Sequence, residues 1–127
     1  MSQKNARPLS PHITVYRPQI TSVMSILHRI TGCGLALSLV FFVWFIIALA
    51  MGESSYNLFI YCSTTLLGKL VVFMIVFALF YHMFNGIRHL VWDTGYGYNI
   101  QNVKKSGIIV AILAVVATII TSVMIAV

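Results

Sequence analysis

One histidine lies inside a long apolar stretch of this sequence, where a polar side chain is costly. Between Leu70 and Ile87, His82 is the only residue of the Asp, Glu, Lys, Arg and His types. An imidazole at membrane depth usually has a function, because it must find a metal, a proton path or a polar partner. The residues alone leave three uses open for His82: a hydrogen bond to a neighbouring helix, ligation of a haem iron, or proton relay.

A second histidine shares that face of the same helix. His89 follows His82 by about two helical turns, which places the two imidazoles roughly 10 Å apart along the axis. Gly86 lies between them and leaves space where a side chain would have stood. A haem fits this spacing, with His82 on the iron and the propionates near Arg88 and His89. Arg88 and His89 equally suit the plainer role of side chains that extend to the membrane surface.

Further polar side chains open the first apolar run. Ser25, His28 and Arg29 stand at i, i+3 and i+4, so a helix would bring them to one face. His28 and Arg29 could then join the cations around a dianionic cofactor, which needs such partners at low dielectric. Alternatively, Arg29 serves only as a topology charge and Ser25 only as a hydrogen-bonding residue near the helix start.

Counting the histidines gives a further expectation. A haem that transfers electrons usually has two strong axial ligands. We expect His12, His28 and His89 to lie at or outside the membrane boundary, so that none matches His82 in depth. If haem is bound, the second ligand should therefore come from another chain.

The elements that must position these residues are membrane helices. The chain of 127 residues is 60% hydrophobic and 8% charged, whereas soluble proteins are about one quarter charged. Three continuous apolar runs each approach the roughly 20 residues that cross a bilayer. We predict an all-α membrane protein with three transmembrane helices at about 22–51, 64–92 and 106–127. They form a single domain, 21–127, after a polar, Pro-rich segment, 1–20.

The charge distribution predicts an orientation. The net charge is +6, and most of the basic residues precede the first span or lie between the second and third spans. The positive-inside rule places the N-terminus and that loop on the cytoplasmic or matrix side. No basic patch interleaved with aromatic residues is present, so we expect membrane lipid and protein partners and no nucleic acid. Segment 1–20 should be ordered by a protein partner.

Three motifs together resemble one family, the cytochrome b membrane-anchor subunit of succinate dehydrogenase (respiratory complex II). The resemblance covers nearly the whole chain, including the spacing of the three spans. The motifs are Arg7-Pro8-Leu9-Ser10-Pro11-His12, Ser25-Ile26-Leu27-His28-Arg29-Ile30-Thr31-Gly32 and His82-x-x-x-Gly86-Ile87-Arg88-His89-x-x-x-Asp93.

The resemblance implies a shared cofactor and a substrate site. It implies that His82 ligates haem b together with a histidine of a second small anchor subunit. It implies that His28, Arg29 and His89 lie near the propionates. It also implies that Ser25 and Arg29 contact ubiquinone and that Asp93 lies near that site.

The resemblance also implies partners and a location. An iron–sulfur subunit and a flavoprotein subunit would complete the complex, with segment 1–20 contacting the soluble subunits, and succinate would be oxidised on the flavoprotein. The short segment before the first span favours a bacterial inner membrane, with the mitochondrial inner membrane as the alternative. Two other functions remain open: the anchor of a related fumarate reductase, and a small transporter or proton relay centred on His82.

Overall fold

The computed structural model describes residues 17–126, and these residues form four helices in chain order. They are α1 (Ile20–Ala50), α2 (Glu53–Thr64), α3 (Leu66–Asp93) and α4 (Ile100–Ala126). Helices α1, α3 and α4 are long and apolar enough to cross a membrane. The prediction of an all-α membrane protein with three spans is therefore confirmed. Residues 1–16, which carry most of the predicted N-terminal segment, lie outside the described residues.

The connection between the first two spans is itself helical, which the sequence analysis did not predict. Gly52 ends α1 with a positive φ of 93°, a conformation that glycine adopts without strain. Glu53 then begins α2, where its carboxylate suits the positive end of the helix dipole. Thr65, in an extended conformation, separates α2 from α3, and its hydroxyl accepts a hydrogen bond from the amide of Gly68 at 3.1 Å.

The third span begins earlier than predicted, at Ile100 rather than near residue 106. The side chain of Asn99 accepts a hydrogen bond from the amide of Gln101 at 3.0 Å, so it satisfies one of the free donors at the helix start. Before it, Gly95 and Gly97 both have positive φ, at 87° and 86°, and they form the short turn that reverses the chain after α3. The basic residues Lys104 and Lys105 therefore lie on the first turns of α4.

Helix α1 packs along one narrow face. Its buried and half-buried residues recur at alternating spacings of four and three, as in helices that pack nearly side by side: Met24, His28, Thr31, Leu35 and Ser38. Most of the large apolar side chains on the other faces are exposed, as expected for a surface that meets lipid or partner helices.

The buried core lies in the half of the bundle that contains the start of α1 and the end of α3, which we call the histidine end. Met24, Tyr81, Val110 and Ala114 form it, with three phenylalanines of α3 packed around them. A Cβ atom at Gly107 would lie 2.6 Å from the Met24 Sδ atom, so glycine allows α4 to approach α1 closely there.

A histidine site between helices α1 and α3

His82 stacks face to face on His28 of α1. The ring centroids lie 4.0 Å apart and the planes differ by 7°. The His89 ring lies 5.3 Å from the His28 ring, so His28 contacts both histidines that the spacing in α3 places on one face. The three imidazoles thus form one cluster at the histidine end.

This contact corrects the expected depth of His28. We expected it at or outside the membrane boundary, because it lies with Ser25 and Arg29 at the start of the first apolar run. Helix α1 begins at Ile20, so about 12 Å of helix precedes His28. Arg29 is exposed and lies about a quarter turn around α1 from His28, and a long arginine side chain can extend toward water from within a span. His28 therefore matches His82 in depth.

A backbone carbonyl fixes the proton of the His82 ring. The Nδ1 atom of His82 lies 3.1 Å from the carbonyl oxygen of His28 and 3.4 Å from the Thr31 hydroxyl oxygen. A carbonyl oxygen only accepts, so Nδ1 carries the hydrogen, and in the neutral imidazole Nε2 then keeps its lone pair. The described residues offer no hydrogen bond to Nε2. This is the arrangement of a metal-ligating histidine, whose second nitrogen usually donates to a carbonyl or carboxylate.

Gly32 provides the space in which the His82 ring packs against α1. A Cβ atom at this position would lie 3.0 Å from Cε1 and 3.5 Å from Nδ1 of His82. Carbon atoms pack best at about 3.5–4.0 Å, so any side chain here would push the ring out of place. The space predicted at Gly86 faces His28 instead, at 3.9 Å from its Cε1 atom. Gly32, and not Gly86, is therefore the glycine that the close approach of the two histidines requires.

The stacking excludes one way of holding a haem. Two imidazoles in face-to-face contact leave no room for a porphyrin between them, so His28 and His82 do not ligate the same iron in this arrangement. Among residues 17–126, no group of three or more histidine, cysteine or acidic side chains is placed to hold a metal ion. His82 is half-buried, so its free nitrogen is open to a group from outside the three-helix bundle.

Arg88 turns away from the histidines toward α4. Its Nε atom donates to the Ser106 hydroxyl at 3.0 Å, one terminal nitrogen donates to the Val103 carbonyl at 3.0 Å, and the other donates to the Asn85 side-chain oxygen at 3.2 Å. The guanidinium carbon also lies 4.0 Å above the Trp92 ring. Arg88 is only 7% exposed. Its hydrogen bonds hold the start of α4 against the end of α3.

Asn85 is a site residue that the sequence analysis missed. It is completely buried, and its amide nitrogen lies 3.5 Å from the His89 Nε2 atom while its oxygen accepts from Arg88. It thus connects the arginine to the histidine cluster. The sequence did contain a sign of this role. Asn85 is a polar residue in an apolar run, three residues after His82 and four before His89, so it shares their helix face.

Ser25 and Arg29 line a second feature, a shallow open pocket of about 350 Å³ on the outer side of α1. Thr21, Ser22 and Ile26 complete it. Ser25 and Arg29 do share a face, as predicted, but His28 points instead into the α1–α3 interface, about a quarter turn away. Asp93 is exposed at the last position of α3, and no described residue forms an ion pair with it.

Three apolar helices that pack around polar contacts and a histidine cluster define the class as a multi-span membrane protein. The family follows from comparison. Residues 3–121 match the model of the succinate dehydrogenase/fumarate reductase transmembrane subunit, and the chain belongs to that family.

Relatives from bacteria and mitochondria agree with this assignment. The succinate dehydrogenase cytochrome b556 subunit of Rickettsia bellii is 44% identical over 115 residues, covering 91% of this chain and 90% of its own. The cytochrome b560 subunit of Reclinomonas americana is also 44% identical, over 90% of this chain and 83% of its own. The mitochondrial cytochrome b560 subunit of Sus scrofa is 41% identical over 89% of this chain and 68% of its own. This chain is accordingly a multi-pass inner-membrane anchor subunit of the cytochrome b type.

Proposed function

We propose that this chain holds haem b through His82 together with a second anchor subunit, and that it forms part of the site where ubiquinone is reduced. The observation that carries the proposal is the His82 ring, which donates through Nδ1 to the His28 carbonyl and leaves Nε2 free. The names of the relatives describe cytochrome b subunits, which supports haem b as the group.

The residues around His82 suit this role. When bound, haem b accepts and releases one electron at its iron. The carbonyl of His28 makes the His82 imidazole a stronger donor, and Gly32 and Thr31 hold its orientation. The stacked His28 ring supports one face of the His82 ring, and a second anchor subunit would supply the other side chain that holds the haem.

Donors for the propionates are available within the cluster. The Nδ1 atom of His28 is buried and has no hydrogen-bond partner among the described residues, which is costly unless a ligand completes it. We therefore assign the propionate contacts to His28 and His89, with Arg29 contributing charge. Arg88 donates hydrogen bonds to α4, so we assign it the structural role of holding α4 against α3.

The Ser25 pocket suits a quinone head group. The Ser25 hydroxyl can donate to a carbonyl oxygen of the ring, and the Arg29 guanidinium stabilises the negative charge that develops on that oxygen during reduction. Asp93 lies on α3 at the same end of the bundle, where an exposed carboxyl can exchange protons with water. Protons reach the quinone from that side.

The orientation and the partners complete the proposal. The basic residues at the histidine end favour a cytoplasmic or matrix location for that end. Segment 1–20 contacts the soluble iron–sulfur and flavoprotein subunits there, so electrons derived from succinate arrive close to the Ser25 pocket. The same architecture would serve the anchor of a related fumarate reductase. No observation favours a transporter centred on His82.

Visible spectra of the purified complex test the haem assignment. We expect a reduced-minus-oxidised b-type band that is lost in His82→Ala. In His28→Phe the band should be weaker but still present, since phenylalanine keeps the stacked ring and removes only the proposed propionate contact. Complete loss of the band in both variants would contradict the assignment of the iron contact to His82 rather than His28.

Two acceptor assays test the quinone site. We expect Ser25→Ala and Arg29→Leu to lower succinate:ubiquinone reductase activity about tenfold or more while succinate oxidation with an artificial dye persists. Ser38→Ala is the matched control, because its hydroxyl donates to the Leu35 carbonyl within α1 and lies away from the pocket. Parallel loss of both activities would indicate failed assembly, and unchanged quinone activity would refute the site.

A further inference from the structure

A polar-rimmed cavity lies at the end of the bundle opposite the histidines. It has a volume of about 450 Å³ and is formed where α2 ends, α3 begins and α4 ends. Its lining combines one cation, three hydroxyls and four apolar side chains: Lys69, Ser63, Thr64, Ser122, Ile60, Val72, Phe73 and Ile125. Nothing in the proposed electron-transfer function uses it.

Lys69 brings an unpaired positive charge to this cavity. The chain contains only two acidic residues, Glu53 and Asp93, which begin α2 and end α3. No described residue forms an ion pair with Lys69. A lysine at the entrance to a membrane span is stabilised by a negatively charged partner, because an uncompensated charge near hydrocarbon is costly.

The hydroxyls divide into two kinds. Ser63 donates to the Phe59 carbonyl at 2.8 Å, and Thr64 donates to the Ile60 carbonyl at 2.9 Å, so each can only accept from a ligand. The Ser122 hydroxyl has no partner among the described residues, and its hydrogen is available. The free donors of the cavity are therefore the ammonium of Lys69 and the hydroxyl of Ser122, which together suit an anion with several acceptor oxygens.

We propose that this cavity binds an anionic glycerophospholipid. The phosphate lies against Lys69 and Ser122, and one acyl chain follows the apolar wall of Val72, Phe73 and Ile125 toward the middle of the bilayer. Free phosphate would satisfy the two donors but leave that wall uncovered. A zwitterionic headgroup would place its own cation beside Lys69, where the described residues provide no carboxylate to neutralise it.

Native mass spectrometry of the intact detergent-solubilised complex tests this proposal. The complex is delipidated and titrated with phosphatidylglycerol, phosphatidylcholine or inorganic phosphate. We expect one tightly retained phosphatidylglycerol per copy of this chain and about fivefold weaker retention in Lys69→Gln, the effect of one lysine near anionic lipid. Ser122→Leu fills the cavity without removing the charge, and it should also lower retention. Lys105→Gln, at the opposite end of α4, is the control and should bind like the unaltered complex.

Three results would overturn the proposal. One is equal retention in the unaltered complex, Lys69→Gln and Ser122→Leu. Another is an absence of phosphatidylglycerol adducts, as expected if a partner subunit fills the cavity. The third is equal retention of phosphatidylcholine, or displacement of the lipid by inorganic phosphate alone. Retention of phosphatidylglycerol that falls in both cavity variants and not in Lys105→Gln would support it.

Discussion

A single methyl group at Gly32 should displace the His82 ring, whereas the same methyl group at Gly34 should not. Both glycines lie in α1, two residues apart. A Cβ atom at Gly32 would lie 3.0 Å from the His82 Cε1 atom, while a Cβ atom at Gly34 would have no neighbour within 4 Å. The pair of variants Gly32→Ala and Gly34→Ala therefore isolates the contact with the imidazole.

The magnitude follows from two opposing effects. Replacing glycine by alanine inside a helix favours the helix by up to about 1 kcal/mol, and this gain is the same in both variants. Overpacking costs about 1–3 kcal/mol, and only Gly32→Ala incurs it, because its new contact is about 0.5–1 Å shorter than carbon atoms prefer. We therefore expect Gly32→Ala to be less stable than Gly34→Ala by about 1–3 kcal/mol.

Two measurements on the same purified complex check this expectation. Denaturation followed by helix content gives the difference in stability between the variants. The b-type spectrum should weaken or shift in Gly32→Ala and remain unaltered in Gly34→Ala, since the His82 ring is then held in a different orientation. Identical stability and identical spectra in the two variants would refute the conclusion that Gly32 seats the ring.

Two further predictions concern helix packing. Gly107→Ala should destabilise the bundle by about 1–3 kcal/mol, because the new Cβ atom meets the Met24 sulfur. Adding Met24→Ala should recover part of that loss. Denaturation of the four members of the double-mutant cycle measures the coupling between the two positions, and strict additivity would contradict the contact. Arg88→Gln should lower the free energy of unfolding by about 2–4 kcal/mol, because it leaves the acceptors on Asn85 and Val103 without a hydrogen-bond donor. Arg29→Gln should change stability by less than about 0.5 kcal/mol and lower only quinone activity. Equal stability of these two variants would contradict the different roles of the two arginines.

The sequence was sufficient for the number of spans and for the face that His82 and His89 share. Long uncharged runs predict membrane helices whatever the tertiary structure, and helical spacing alone brings His82 and His89 to one face. The ends of the helices depended on local turn and capping residues, which a hydropathy pattern does not reveal. Glu53 to Thr64 forms a helix because Gly52 and Thr65 end the neighbouring segments, and Asn99 extends α4 by capping its first turn.

The partners of the polar side chains could not be predicted from spacing. Arg88 and His89 are adjacent in sequence, yet one bonds to α4 and the other contacts His28, because consecutive residues on a helix point about 100° apart. The expected depth of His28 was wrong for a related reason, since His28 lies at the start of an apolar run but helix α1 already begins at Ile20. Which neighbour each face meets is set by the packing of three helices together.

Three side chains within a short part of α3 hold the bundle together, and one of them is the proposed iron ligand. Tyr81 donates to the Met24 carbonyl at 3.1 Å, His82 to the His28 carbonyl at 3.1 Å, and Arg88 to the Val103 carbonyl at 3.0 Å. Lipid supplies no hydrophobic force between helices, so polar contacts of about 0.6–1.7 kcal/mol each specify how membrane helices pair. The bond that fixes the His82 ring therefore also positions α1 against α3. A change that loosens the helix pair will consequently alter the histidine, and a ligand that holds the histidine will stabilise the pair.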